Sequence, residues 1–161
     1  MEFGGPRYRR FAQSDQIRSY DIIDINPNNP LATIRCDVED LCSVTGRAFD
    51  VIVCTQVLQY VKNPARALSR LKARLKPQGV LLVTAPFIER QDRHGPDRWR
   101  FTKLGMESLL QDFSDITVET GGNLFATLCY LAGFGLNDVD EDALLLPDDI
   151  HYTTVMARAK P

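Results

Sequence analysis

Two apolar runs, Phe49-Asp50-Val51-Ile52-Val53-Cys54 and Gly79-Val80-Leu81-Leu82-Val83-Thr84-Ala85, bracket a segment of helical periodicity, and this unit constrains the fold more than anything else in the chain. Runs that are apolar almost without interruption suit strands buried on both faces, as in parallel sheets. Parallel neighbours cannot be joined by a tight turn and need a crossover. Here the crossover is a helix predicted from Pro64 to Leu75, with Pro64 in its first turn and Ala67, Leu68, Leu71 and Leu75 as its core-facing stripe. Lys76-Pro77-Gln78-Gly79 reads as the stop.

The same alternation continues on both sides. Tyr20 to Ile25 is a short strand closed by the turn run Asn26-Pro27-Asn28-Asn29-Pro30, and Ala32 to Cys36 is a second short strand. After a polar loop from Glu89 to Arg100, Thr102 caps a helix over Lys103–Phe113 with Leu104, Leu109, Leu110 and Phe113 inward. Ile116 to Thr120 is a strand ended by Gly121-Gly122. Asn123 caps an apolar helix from Leu124 to about Phe134, and Tyr152 to Ala159 is the terminal strand. The last two strands suit an antiparallel pair. The expected architecture is one α/β domain over 1–161: a Rossmann-like, doubly wound, mostly parallel sheet covered on both faces, with a C-terminal antiparallel strand pair.

Several function classes are disfavoured. The formal net charge of −2 lacks the basic footprint of a nucleic-acid binder, and Arg7, Arg9 and Arg10 read as a solvated face. The four cysteines form no C-x-x-C pair and no His stands at metal-ligand spacing, so no metal is expected and a reducing cytoplasm is the expected compartment. Met-Glu-Phe-Gly-Gly-Pro has no signal-type apolar region. The longest apolar stretch, Leu124 to Leu136, is too short to span a bilayer, so no membrane partner is expected.

In open α/β sheets ligands sit beyond the carboxyl ends of the strands. The residues found there are Gly4 and Gly5 in Glu2-Phe3-Gly4-Gly5-Pro6, Asp24 with Ile25, Asp37 with Val38, and Thr55-Gln56. Adjacent glycines permit a sharp turn and close approach to a ligand, although Gly-Gly-Pro alone is an ordinary turn signal. Asp24 stands about 20 residues beyond the glycines, a separation suited to accepting from ribose hydroxyls, and also suits the start of the Asn-Pro turn. Asp37 suits an exocyclic amine or a simple cap.

Taken in order, these residues form the layout of an S-adenosylmethionine site. The run Phe49 to Val61, its continuation Lys62-Asn63-Pro64-Ala65-Arg66-Ala67-Leu68, and Leu75-Lys76-Pro77-Gln78-Gly79-Val80-Leu81-Leu82 resemble the fourth-motif region of class I S-adenosylmethionine-dependent methyltransferases of the type 11-like kind. His94-Gly95-Pro96-Asp97-Arg98-Trp99-Arg100-Phe101-Thr102 resembles a subgroup with a "WRFT" loop, often linked with sugar or cell-surface polymer biosynthesis. The resemblance implies that Glu2 reaches the methionine part of S-adenosyl-L-methionine indirectly, with Gly4 and Gly5 in the glycine motif. It further implies that Asp24 holds the ribose, with Ile25 beside it. Asp37 and Val38 hold and flank adenine, and Thr55 and Gln56 line the methionine side. The chain departs from the family pattern in its short glycine motif, in Gln59-Tyr60 where Glu-His is usual, and in the single glycine of Lys76-Pro77-Gln78-Gly79. The central strand expected before Glu2 is missing from the chain, which predicts an incomplete N-terminus or a strand supplied by a second copy, giving a homodimer through the exposed sheet region.

The expected activity is methyl transfer to a small-molecule acceptor such as a sugar or glycan precursor; the alternative is a non-catalytic methyltransferase-like module. A nicotinamide oxidoreductase is disfavoured because G-x-G-x-x-G is absent. A hydroxyl acceptor needs a general base, and His94, in the loop after the Gly79–Ala85 strand, is the candidate. Asp97 either assists it or pairs with Arg98 or Arg100. Tyr60, Arg98 and Trp99 are candidate acceptor-binding residues, with core packing as the competing role for Trp99 and Phe101.

Overall fold

The computed structural model describes all residues except 12, 13, 42, 43, 45, 94, 135–137 and 149. Seven strands form one sheet: β1 (Glu2–Phe3), β2 (Ile22–Asp24), β3 (Ile34–Arg35), β4 (Phe49–Thr55), β5 (Leu75–Pro86), β6 (Ser114–Gly121) and β7 (Thr154–Lys160). Their order is β3-β2-β1-β4-β5-β7-β6; only β7 runs antiparallel to its neighbours. The helices are α1 (Pro64–Lys72), α2 (Lys103–Leu109), α3 (Leu124–Ala132) and α4 (Glu141–Leu144). None of the described helices is long and apolar enough to cross a membrane.

The central position of the sheet is held by a strand of two residues. Glu2 and Phe3 form it, pairing in parallel with Ile22 and Ile23 on one side, while Glu2 also pairs with Val53 on the other. Backbone bonds extend this short strand: Val53 N donates to Met1 O at 2.9 Å and Gly4 N to Ile23 O at 2.9 Å. Of its two residues, Glu2 pairs on both sides and Phe3 with β2.

The β4-α1-β5 unit forms as its sequence dictates, with two boundary changes. Asn63 caps α1 by accepting from Arg66 N at 3.0 Å, and Ala67, Leu68 and Leu71 are buried against the sheet. The helix stops at Lys72, and Leu75 opens β5 instead of closing the helix. The Lys76–Gly79 stretch is thus a strand irregularity rather than a turn, with the pairing stepping from Phe49↔Leu75 to Val51↔Val80. Gly79 is required there: a Cβ would lie 2.9 Å from Phe49 O. In α2 the inward side chain is Met106, whereas Leu104 faces solvent, because the capped helix starts at Lys103 and its turn carries Leu104 outward. Leu110 and Phe113 are buried as expected.

One expectation about layers fails. On the helix-covered face Ile52, Cys54, Leu81 and Val83 are buried, yet on the other Val51 is 44% exposed and Leu82 38%. The segments after β1 and β2 contain only short 3-10 turns (Arg9–Phe11, Ser14–Gln16) and the Asn-Pro run, so among the described residues no α-helix covers this half. A groove of about 1190 Å³ opens there, walled partly by Tyr8 and Phe11.

Gly79→Ala is expected to lower the unfolding free energy by about 2 kcal/mol, since overpacking against backbone cannot relax cheaply. Gly5→Ala, where an added Cβ meets nothing within 4 Å, is expected to change it by less than about 0.5 kcal/mol. Urea titrations of the two variants check the contrast.

Candidate active site

The carboxyl ends of β1, β2 and β4 meet at one edge of the sheet. At β1, the Glu2 side chain is only 1% exposed, and its carboxylate accepts from Arg7 N at 2.8 Å, from Tyr8 N at 3.4 Å and from the Tyr20 hydroxyl. Burying a carboxylate is tolerable only with such partners. Glu2 therefore shapes the glycine turn from behind. Gly4 has φ +78°, a conformation that disfavours any other residue, and beyond Gly4 and Gly5 a side chain would enter open space.

Asp24 ends β2. Its Oδ1 accepts from Asn26 N at 2.8 Å, and its Oδ2 accepts from Asn29 Nδ2 at 2.6 Å; the same nitrogen donates to Gly4 O at 2.7 Å. Ile25, next in the chain, is 68% exposed. Asp37 follows β3 and opens a turn, its Oδ1 accepting from Glu39 N at 2.9 Å, whereas the Val38 side chain joins the hydrophobic core. Glu39 accepts from Lys62 N and Asn63 N at 2.8 and 3.0 Å, which ties this turn to the start of α1.

Thr55 and Gln56 end β4. Gln56 has φ +54°, a strained backbone for a residue with a side chain, held by its N–H bond to Thr84 O at 2.9 Å. Both residues line a cleft of about 890 Å³ over β4 and β5, whose floor also includes Phe3, Gln59 and Tyr60. Gln59 is 3% exposed; its Nε2 donates to Gln56 Oε1 at 3.2 Å, while its own Oε1 has no hydrogen-bond partner among the described residues. Tyr60 donates to Asp92 Oδ2 at 2.9 Å; burial, then the Asp92 hydrogen bond, push its hydroxyl up to about 12. It is a proton donor at neutral pH.

The loop after β5 is a braced structure. Asp97 is nearly buried, with both oxygens engaged by Arg100 at 2.6 and 2.8 Å, and its Oδ2 also accepts from Asp92 N at 2.9 Å. The Arg100 hydrogen bond holds its carboxyl below the ordinary range, outweighing burial. Of the partners open to Asp97, the structure pairs it with Arg100. Arg98 instead donates to the carbonyls of Tyr60 and Pro96 at 2.5 and 2.8 Å. Trp99 is 41% exposed and its indole donates to Val61 O at 2.8 Å, whereas Phe101 packs in the core. None of Asp97, Arg98 and Trp99 lines the cleft. His94, like Cys42, lies outside the described residues.

The cleft also contains residues that the sequence reading missed. Arg7 and Glu89 line it, as does Tyr130 on α3, whose hydroxyl donates to Glu89 Oε1 at 3.0 Å. Burial and then Glu89 raise the Tyr130 pKa. Glu89 was accessible in principle, as an acid just beyond a strand, by the logic that selected Asp24. Tyr130 gave no signal, being one aromatic in an apolar helix. Its placement depends on Asn123, which caps α3 by accepting from Ala126 N at 2.8 Å. The same side chain donates to Ala143 O and Leu146 O at 2.7 and 2.9 Å, anchoring α4 beside the cleft.

A sheet in this strand order, with its one antiparallel strand near the end and acids following β2 and β3, defines the class I methyltransferase architecture. Residues 6–125 match the family described as "Methyltransferase domain". Over 90 residues the chain is 32% identical to a tRNA U34 carboxymethyltransferase of Campylobacter jejuni, covering 55% of this chain and 31% of that protein's length. Among solved structures it resembles a SAM-dependent methyltransferase from Archaeoglobus fulgidus (TM-score 0.68, 15% identity, 99% of this chain and 84% of that one). It also resembles the plantazolicin methyltransferase BamL in complex with a triazolic desmethylPZN analog and SAH (TM-score 0.59, 15% identity, 98% and 74%). The chain belongs to the methyltransferase-domain family, whose methyl donor is S-adenosylmethionine.

The Asp97–Arg100 pair has a defined acid signature. Because the folded carboxyl titrates below its unfolded value of about 3.9, the stabilisation is full above that value and is lost as pH falls through the lower, folded one. Asp97→Asn is expected to lower the unfolding free energy at pH 7 by about 2 kcal/mol. It is also expected to flatten the loss of stability as pH falls below about 4, the range of the unfolded carboxyl. Urea midpoints across that range read both effects.

Proposed function

We propose that the chain transfers a methyl group from S-adenosylmethionine to a small-molecule acceptor held in the cleft over β4 and β5. The observation that carries this reading is convergence: Gly4 O and Asp24 Oδ2 both lie within 2.7 Å of one nitrogen, that of Asn29, at the strand ends. In this reading Asp24 accepts from the ribose hydroxyls with Ile25 alongside. Asp37 accepts from the adenine amine, with the Val38 backbone next to it. The open space beyond Gly4 and Gly5 admits the methionine portion, and Thr55 and Gln56 border it.

When bound, the cofactor supplies a methyl group activated on a sulfonium. The protein's task is alignment and exclusion of water. Tyr60, whose hydroxyl proton is given to Asp92, orients an acceptor by accepting a hydrogen bond on its oxygen, and Gln59 Oε1, without a partner among the described residues, is a second acceptor beside it. A hydroxyl acceptor also loses a proton. His94 is the proposed base from the sequence, and Glu89 is the carboxylate that lines the cleft. Asp97, bound to Arg100, is assigned to bracing the loop that carries these groups.

For the acceptor we favour a sugar or glycan precursor. The resemblance of the His94–Thr102 stretch to the "WRFT" subgroup supports it, as do Tyr60 and Tyr130 in the cleft walls, aromatic surfaces suited to the apolar face of a sugar ring. The relative named for tRNA shares 90 aligned residues, and the net charge of −2 favours a small acceptor over a polyanion. The competing reading is a non-catalytic module, favoured by a glycine turn that contains only Gly4 and Gly5.

Calorimetric titration with S-adenosylhomocysteine, the demethylated product, tests the proposal. Binding is expected, with Asp24→Ala weakening it by roughly tenfold or more, the loss of hydrogen bonds to a charged group. A folded wild-type protein that leaves the titrant unbound would rule out the enzyme reading. Binding undiminished by Asp24→Ala would remove the ribose assignment.

A further inference from the structure

We infer that Asn29 is a further cofactor-positioning residue, a fork that sets the distance between the glycine turn and the ribose acid; the inference rests on the S-adenosylmethionine reading above. In the sequence Asn29 is one of three asparagines in a turn and carries no distinguishing signal. In the structure every hydrogen-bonding atom of its side chain is used. Its Nδ2 donates to Gly4 O at 2.7 Å and to Asp24 Oδ2 at 2.6 Å, and its Oδ1 accepts from Leu31 N at 2.9 Å. The backbone is pinned as well, with Asn29 N donating to Asn26 O at 3.3 Å and Ala32 N to Asn29 O at 3.3 Å.

This geometry demands an asparagine. One short planar group must present two donors on one nitrogen and an acceptor at the opposite corner. Aspartate has the shape without the donors, and alanine has neither. The Asp24 carboxylate is fixed from two directions, by Asn26 N on Oδ1 and by Asn29 on Oδ2, which leaves further lone pairs for a ligand's hydroxyls. Gly4, 25 residues away in sequence, is tied to the same nitrogen. The two elements assigned to opposite portions of the cofactor are therefore held in register before it binds. Preorganisation of this kind appears as affinity, because the ordering cost is met on folding rather than on binding.

Asn29 acts through Asp24, and a double-mutant cycle reads that dependence. S-adenosylhomocysteine is titrated into wild type, Asn29→Ala, Asp24→Asn and the double variant by ligand-observed NMR, which reaches millimolar constants. Asn29→Ala is expected to raise Kd about tenfold. Asn29→Asp keeps the Leu31 contact while placing a carboxylate against Asp24; it is expected to do at least the same, and it stands in should the alanine variant fail to fold. Adding Asn29→Ala to Asp24→Asn is expected to raise Kd by clearly less than the roughly tenfold seen in the wild-type background, since the Asp24 tie is already altered and only the Gly4 tie remains to be lost. Wild-type affinity in both Asn29 variants, or losses that multiply in full in the double variant, overturns the inference. If the wild type itself ignores the ligand, the underlying cofactor reading fails instead, and the two failures are distinguishable.

Discussion

The Glu2 carboxylate lies beneath a strand of only two residues, shut off from solvent. A charge in that position is stable only because two backbone N–H groups and a tyrosine hydroxyl surround it. That requirement reaches outward. It folds residues 7 and 8 back over the strand, draws Tyr20 against the start of β2, and so determines how the chain leaves Phe3 and turns at Gly4. The open space above the glycines, and with it room for a ligand, follows from satisfying one buried acid.

The rest of the site is built from the same economy of short polar links. Strand ends present Asp24, Asp37 and Gln56, and each is fixed by bonds to its own loop or to the adjacent strand. Glu39 joins the turn after β3 to α1, and Asn123 joins α3 to the segment that closes the cleft. Within the loop after β5, Asp97 links Asp92 and Arg100 by hydrogen bonds. Precision at the sheet edge comes from side chains that bond to main chain, which is why so few regular elements suffice.

Much of this was legible in the sequence, for identifiable reasons. The β4-α1-β5 unit was readable because uninterrupted apolar runs and a four-residue stripe leave little alternative, and Thr102 and Asn123, read as caps, act at helix starts. Asp24, Asp37, Thr55 and Gln56 were expected at or just beyond strand ends, and the structure places them there, because the apolar runs that fix the strands also fix where they stop. What stayed hidden depends on distance across the chain. Glu2 and Phe3 do not look like a strand, since two residues carry no period; only pairing on both sides makes them one. The Lys76–Gly79 stretch has the composition of a turn, and only the register of β4 against β5 shows it as a strand irregularity. Coverage of both sheet faces was inferred from strand composition, whereas it is set by the segments after β1 and β2, whose described residues form only 3-10 turns and the Asn-Pro run. Asn29 and Tyr130 owe their roles to partners 25 and 41 residues away.

The brevity of β1 divides the molecule along a seam. On one side stand β2 and β3, three and two residues long; on the other, β4 to β7 with the bulk of the apolar core. The halves are joined by the short β1 ladder, by Glu39, which ties the turn after β3 to the start of α1, and by Val38 in the shared core. In the proposed site the cofactor would span these two groups of strands, its sugar beside β2 and its sulfur toward β4. A ligand so placed, binding only where both groups are folded together, would stabilise the sheet by mass action, so that filling the site and holding the strands together would be linked.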